Sequence, residues 1–304
     1  MNETVASALR ILHLSDGKPG HDNQARGLIR ALAQRCSVET QHILLRNRWQ
    51  GLLRSRRLPQ GFEPDLVIGA GSRTHLGLLI YAKAYAARSI VLMRPSLPCA
   101  WFDACLVPQH DAPKPRNNLL TTVGAINAVA PHGSHNPKST LVLVGGPSKH
   151  YQWDSARIVE QVATLAERNP DQQILVADSR RTPAAVLDDI KTLALHNVAT
   201  MPWRQADAGW LAGELAQHAS CWVSPDSVSM VYEALTAGCR VGLLSLPAAS
   251  ASRVARGIEG LVAEGRLVRF ADWLDGQALP QPHPLNEAQR CADWILQRWP
   301  ELAN

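Results

Sequence analysis

Short apolar runs recur along the chain, each followed by a polar or glycine-rich break and then by a segment with helical spacing. Leu9-Arg-Ile-Leu-His-Leu comes first. Ser15-Asp-Gly-Lys-Pro-Gly-His-Asp-Asn-Gln breaks it, and Ala25 to Ala33 then places Leu28, Ile29 and Leu32 at helical intervals. Val38 to Leu45 reads as a second strand. Pro64-Asp-Leu-Val-Ile-Gly-Ala-Gly-Ser-Arg-Thr-His repeats the strand, glycine loop and helix start. Ser89 to Met93, Phe102 to Asp111 and Leu119 to Asn127 continue the rhythm. Strands alternating with helices predict an open parallel sheet, and parallel strands present their carboxyl ends on one edge.

Val129-Ala-Pro-His-Gly-Ser-His-Asn-Pro-Lys-Ser interrupts the pattern with proline, glycine and polar residues. Thr140-Leu-Val-Leu-Val then begins a second sheet, followed by Gly145-Gly-Pro-Ser-Lys-His-Tyr and a helix over Ala156 to Arg168. Ile174-Leu-Val-Ala-Asp leads into Ser179-Arg-Arg-Thr-Pro. Leu211 to His218 reads as helical and Cys221-Trp-Val as a strand. Ser224-Pro-Asp-Ser-Val-Ser-Met-Val-Tyr-Glu-Ala-Leu-Thr-Ala-Gly follows as a turn, a short helix and a glycine stop. Arg253 to Glu264 is a helix, Leu267-Val-Arg-Phe a short edge strand, and Asn286 to Trp299 an amphipathic closing helix. The predicted division is therefore 1–128, a link at 129–139, a second domain at 140–285 and the closing helix at 286–304. Both domains are Rossmann-like α/β units.

Composition narrows the class without naming it. The chain has 304 residues, 46% hydrophobic and 19% charged, which suits two globular domains rather than a disordered chain. A net charge of +5 fits an anionic ligand or membrane surface but is too small to argue nucleic acid. No apolar run is long enough to span a bilayer, and Met1 to Ala8 lacks the apolar core of a secretory signal. Six scattered cysteines without a C-x-x-C predict reduced thiols and a cytoplasmic protein, and no pair of candidate ligands has zinc spacing.

Candidate chemistry lies at the strand ends. Gly17 and Gly20 let a substrate approach the backbone, but the spacing is not the dinucleotide fingerprint. Asp16 and His21 stand where an acid or base would face a ligand, although His21 also suits a simple helix start. Gly71, Ser72 and Arg73 open another polar helix start. Arg180 and Arg181 form a candidate diphosphate clamp, because the guanidinium fork matches phosphate oxygens. Asp226 or Ser227 can cap the short helix, Gly238 can end it in a left-handed conformation, and Glu233 lies within it. An ordinary βαβ corner accounts for this last stretch equally well. Arg46 to Arg57 interleaves arginines with Trp49, Leu52 and Leu53. That pattern fits an anionic membrane surface or a solvated loop.

Together, Ser15 to Gln24, Gly145-Gly-Pro-Ser, Ser179-Arg-Arg-Thr-Pro and Asp226-Ser-Val-Ser-Met-Val-Tyr-Glu-Ala resemble the ELM (elongated mitochondria) mitochondrial-fission family. Pro108-Gln-His-Asp and Val123-Gly-Ala-Ile-Asn resemble it too. That family is mostly bacterial and is taken for glycosyltransferases. A remoter likeness is to MurG-type GT-B glycosyltransferases, carried by the loop ending in Gly20-His21, by Gly145-Gly146, and by Glu233 with Gly238 five residues on. Ser227 and Arg240 depart from that pattern, where glycine and proline are frequent.

The resemblance implies a GT-B fold with two Rossmann-like domains facing a central cleft, an acceptor-side first domain, a donor-binding second domain, and a closing helix packed back on the first. It implies a donor set of Gly145, Gly146, Ser148, Tyr151, Ser179, Arg180, Arg181, Thr182, Asp226, Ser227, Ser229, Met230 and Glu233, with Glu233 on the ribose. The acceptor-side set is Gly17, Gly20, Gly71, Ser72, Arg73, Arg94 and His110, and the catalytic candidates are His21 and Asp16. The expected activity is transfer of a sugar from a nucleotide-sugar substrate to an envelope glycan or lipid-linked acceptor, such as lipopolysaccharide core. Neither cofactor nor metal is expected, since no Asp-x-Asp motif is present. The expected location is cytoplasmic or peripheral on the inner face of the cytoplasmic membrane. One alternative is a non-catalytic membrane-associated interaction protein on the same fold. The other is a nucleotide-sugar epimerase, disfavoured here by the missing dinucleotide fingerprint and Tyr-x-x-x-Lys pair.

Overall fold

The structure, a computed structural model, describes residues 8–47, 58–59, 61–131, 133–207, 209–249, 252–283 and 285–303. Residues 48–57 of the basic stretch lie outside the described residues. The chain forms two compact units, one of residues 1–128 with 286–304 and the other of residues 129–285.

The first unit is built on a six-stranded sheet in the order β2-β1-β3-β4-β5-β6, all parallel. Its strands are β1 (Leu9–Ser15), β2 (Val38–Leu44), β3 (Leu66–Ala70), β4 (Arg88–Leu92), β5 (Ala104–Pro108) and β6 (Leu119–Thr122). β3 and β5 are buried at every position, as apolar strands with helices on both faces must be. The edge strand β2 is largely accessible. Helix α1 (Pro19–Ala33) starts with proline in its first turn, where no donor is lost, and buries Ala25, Leu28, Ala31 and Leu32. Helix α2 (His75–Tyr85) follows β3.

A late helix, Glu287–Arg298, completes this unit. Ala288, Cys291, Ala292 and Ile295 join the same core as Leu28 and Leu32. Polar contacts fix its register: Arg35 grips Asp293 at 2.8 and 3.2 Å, and Val123 N donates to Glu287 Oε2 at 2.8 Å. Truncating Ile295 to alanine would cost about 2–5 kcal/mol, as for other fully buried aliphatics.

The second unit repeats the plan in the order β12-β11-β10-β7-β8-β9. Its strands are β7 (Asn136–Leu143), β8 (Gln173–Ala177), β9 (Val198–Met201), β10 (His218–Val223), β11 (Arg240–Leu243) and β12 (Leu267–Arg269). Between them lie α3 (Ser155–Arg168), α4 (Ala185–Thr192), α5 (Trp210–Leu215), α6 (Val228–Ala237), α7 (Arg253–Ala263) and α8 (Phe270–Leu274), so the closing helix is α9. The Asp154 side chain caps α3 by accepting from Arg157 N at 3.1 Å. Several readings from sequence change. β7 begins at Asn136, inside the expected link. α5 ends at Leu215, and His218 belongs to a strand. α4, α8 and β9 had no reading at all, and Phe270, read as the end of the edge strand, opens α8.

In a doubly wound sheet, ligands favour the carboxyl edge where the strand order reverses. That point lies between β1 and β3 in the first unit and between β7 and β10 in the second.

Candidate functional site

In the second unit the loops after β7, β8 and β10 are tied together. Gly145 N donates to Ser224 Oγ at 2.7 Å, and Gly146 N to Asp226 Oδ2 at 2.9 Å. Arg181 Nη2 reaches the same Oδ2 at 2.8 Å, while its Nη1 donates to Gly146 O at 3.0 Å. Both glycines are required by close approach. A Cβ on Gly145 would stand 2.2 Å from Asp226 Oδ2, and one on Gly146 would stand 2.1 Å from Arg181 O. The Asp226 side chain is 1% exposed, and its Oδ1 is buried with no hydrogen-bond partner. A buried carboxylate oxygen without a donor is costly.

These contacts redistribute the roles expected from sequence. Asp226 does not cap α6. Ser227 is the cap residue, and its side chain makes no capping bond. Ser179 Oγ and Thr182 Oγ1 are turned onto the Gly145 carbonyl, so they hold the glycine loop rather than present free hydroxyls. Arg181 is 42% exposed but oriented by Asp226. Arg180 is exposed and lines a cavity of about 440 Å³ with Asp178, Ser179, Trp203, Arg204, Asp207 and Met230. This volume lies within the range of small-ligand sites. Asp178 Oδ1 accepts from Trp203 N at 2.5 Å and so fixes the tryptophan beside the cavity.

The remaining donor candidates divide. Ser229 is exposed on the first turn of α6. Ser148 accepts from His150 N at 3.1 Å. Glu233 is 8% exposed. Tyr151 is buried and packs in the core with Val144 and Ile158, and burial, with Glu259 and Asp226 nearby, pushes its hydroxyl up to about 12. Gly238 ends α6 at φ 86°, where only glycine is unstrained.

In the first unit the loops after β1 and β3 meet in the same manner. The Asp16 side chain is 2% exposed, and His21 Nδ1 lies 3.0 Å from its Oδ1. A Cβ on Gly71 would stand 2.5 Å from Asp16 Oδ2 and 2.5 Å from His21 Nδ1, and its φ of +88° is itself a glycine conformation. Arg73 Nη1 contacts Asp16 O at 3.4 Å. Ser72 and Arg73 line a cavity of about 540 Å³ with Arg46, Asn47, His75 and Ser96. His75 Nδ1 lies 3.0 Å from Ser96 Oγ, and burial, reinforced by His21, holds its imidazole down to about 4. Gly17 has φ +77° and Gly20 is exposed. Arg94 donates to Asp111 O at 3.2 Å, beside His110 on the loop after β5. Asp16, His21, Gly71 and Arg73 are therefore gathered at the strand-order reversal, while Arg94 and His110 lie on the loops after β4 and β5.

Sequence reading missed Asp178, Trp203, Arg204, His75 and Ser96. It also missed a group formed by His13, Asp22 and His42, whose ligand-capable atoms lie within 4.8 Å of one another.

A family profile described as Mitochondrial fission ELM1 matches residues 19–299. The Rickettsia prowazekii (strain Madrid E) uncharacterized protein RP120 is 25% identical over 281 residues, covering 76% of this chain and 79% of that protein. Among solved structures, Neisseria meningitidis UDP-GlcNAc 2-epimerase bound to UDP-GlcNAc superposes with a TM-score of 0.59 at 12% identity, covering 95% of this chain and all of that one. Acinetobacter baumannii MurG superposes with a TM-score of 0.52 at 14% identity, covering 95% and 99%. The two parallel six-stranded sheets are thus the GT-B arrangement of those proteins.

Proposed function

The chain belongs to the mitochondrial fission ELM1 family, and from that premise we propose that it is a glycosyltransferase using a nucleotide-sugar donor. The observation that carries the reading is the clamped loop of Gly145, Gly146, Arg181 and Asp226 beside the cavity at Arg180, Trp203 and Met230. The first N–H groups of α6, Val228 to Met230, have no intrahelical acceptor, and no acidic residue occupies that turn. A diphosphate there would meet free donors, the positive end of a helix and two guanidinium groups. Arg204 lies over one face of the Trp203 ring, 5.0 Å from its centroid, and the opposite face would take a base. Glu233 is assigned to the ribose. In this reading the helix terminus and arginines stabilise the leaving diphosphate without a metal ion.

In this reading the two catalytic candidates take different roles. Asp16 is buried and engaged on His21 Nδ1, which leaves His21 Nε2 to accept a proton. Asp16 is then the positioning residue and His21 the base that activates an acceptor hydroxyl. Arg46, Arg73 and Ser72 would receive an anionic acceptor such as a phosphorylated envelope glycan, and a lipid-linked acceptor would bring the protein to the membrane surface. Among the described residues no helix is long and apolar enough to cross a membrane.

A thermal-shift screen against nucleoside diphosphates and their sugars tests this reading. Stabilisation by at least one of them, lost in Gly146→Ala, is expected. No stabilisation by any would leave a non-catalytic interaction protein as the better account. The Neisseria meningitidis UDP-GlcNAc 2-epimerase has this fold, so an epimerase is kept as the second reading. Turnover of a nucleotide sugar without acceptor, followed by NMR at C2, would favour that activity instead.

A further inference from the structure

The parallel register pairs His13 on β1 with His42 on β2, although they are far apart in sequence. Their rings lie 4.9 Å apart, edge to face. Asp22, in the first turn of α1, brings Oδ1 to 3.6 Å from His13 Nε2. That oxygen is buried and has no hydrogen-bond partner. His13 is buried, Asp22 half-buried and His42 exposed, so the group is anchored at one end and open at the other. Sequence spacing gave no hint of it, because the ligands come from two strands and a helix.

We propose that His13, Asp22 and His42 form a binding site for a divalent transition-metal ion of the zinc type. Two imidazoles and one carboxylate are a donor set that such ions prefer over magnesium or calcium. A zinc ion sits about 2.0–2.2 Å from nitrogen and oxygen ligands, which puts tetrahedral ligand atoms about 3.2–3.6 Å apart. The Asp22–His13 separation already matches. The remaining separations, all within 4.8 Å, close by rotation of the exposed His42 ring. The metal would answer the unpartnered Asp22 oxygen and leave a fourth position to water. It would also tie the edge strand β2 to β1 and to the first turn of α1, the turn that carries His21. Arg26, exposed one turn further along α1, faces the group and opposes a cation. The site lies wholly in the first unit, whereas the diphosphate residues lie in the second, so the two readings stand apart.

Calorimetric titration of untagged protein with ZnCl2, without nucleotide or acceptor, tests the site. One zinc per chain is expected, with His42→Gln and Asp22→Asn each weakening binding at least about tenfold and Arg26→Gln tightening it. His42 is exposed, so His42→Gln keeps the fold, which circular dichroism would verify. Absence of saturable binding at micromolar zinc, or binding indifferent to His42→Gln, overturns the proposal. Cobalt substitution gives an independent reading: a thiolate charge-transfer band would assign the ion to cysteine and likewise overturn it.

Discussion

The two units solve one topological problem with different partners. At each strand-order reversal a buried carboxylate rests against a glycine that leaves no room for a Cβ: Asp16 on Gly71 in the first unit, Asp226 on Gly145 in the second. What meets the carboxylate differs. Asp16 meets an imidazole and the Lys18 N–H, with the Lys18 ammonium 3.8 Å away, and Asp226 meets a guanidinium and the Gly146 N–H. An imidazole can accept and release a proton near neutral pH, whereas a guanidinium stays charged. In the proposed reading the same corner serves proton transfer in one unit and anion binding in the other.

The largest separation of the two roles should come from His21→Ala. Transfer is expected to slow by about 10²–10⁴-fold with nucleotide affinity unchanged. Asp16→Asn should slow transfer in the same direction, read as a fall in kcat rather than a rise in the donor KM. Gly145→Ala should do the reverse. Its Cβ must displace Asp226, at a cost of about 1–3 kcal/mol in stability, and donor binding should weaken at least about tenfold. If both glycine and histidine variants lost nucleotide binding alike, the division of labour would fail.

A smaller effect is expected from Asp226→Asn. The amide oxygen can still accept from Gly146 N, but the charged pair with Arg181 is lost, worth about 1–2 kcal/mol because Arg181 is half in solvent. Calorimetry with a nucleoside diphosphate and thermal denaturation would read both parts.

A further effect concerns pH and belongs to the first unit. The folded protein holds the His75 imidazole down to about 4, chiefly by burial, while the unfolded chain would protonate it near 6.5. Its contribution to stability is therefore full above about 6.5 and lost as pH falls toward 4. His75→Gln should flatten the dependence of Tm on pH across that window. An unchanged slope would show that His75 is not its source.

Much of this architecture can be read from the chain because apolar runs such as Leu66 to Ala70 and Cys221 to Val223 have few ways to be buried except as central strands. The glycine loops are legible for a related reason. Gly71, Gly145 and Gly146 mark where backbone and carboxylate come into contact. The missed elements are those with weak pattern: β9 is only partly buried, and α4 and α8 are short. The roles of individual side chains were less legible. Tyr151 sits next to a ligand-ready loop in sequence, yet its ring completes the core. Asp226 looked like a helix cap because capping and cross-loop pairing need the same residue type. Trp203 and His75 lacked any local signal, since each gains its position from a strand end distant in sequence.

The most direct test of the central claim is calorimetric titration of the protein, Gly146→Ala and His21→Ala with UDP and other nucleoside diphosphates. The account predicts micromolar binding of at least one of them by the unaltered protein and by His21→Ala, with binding lost in Gly146→Ala. Binding that survives Gly146→Ala but disappears in His21→Ala would contradict it.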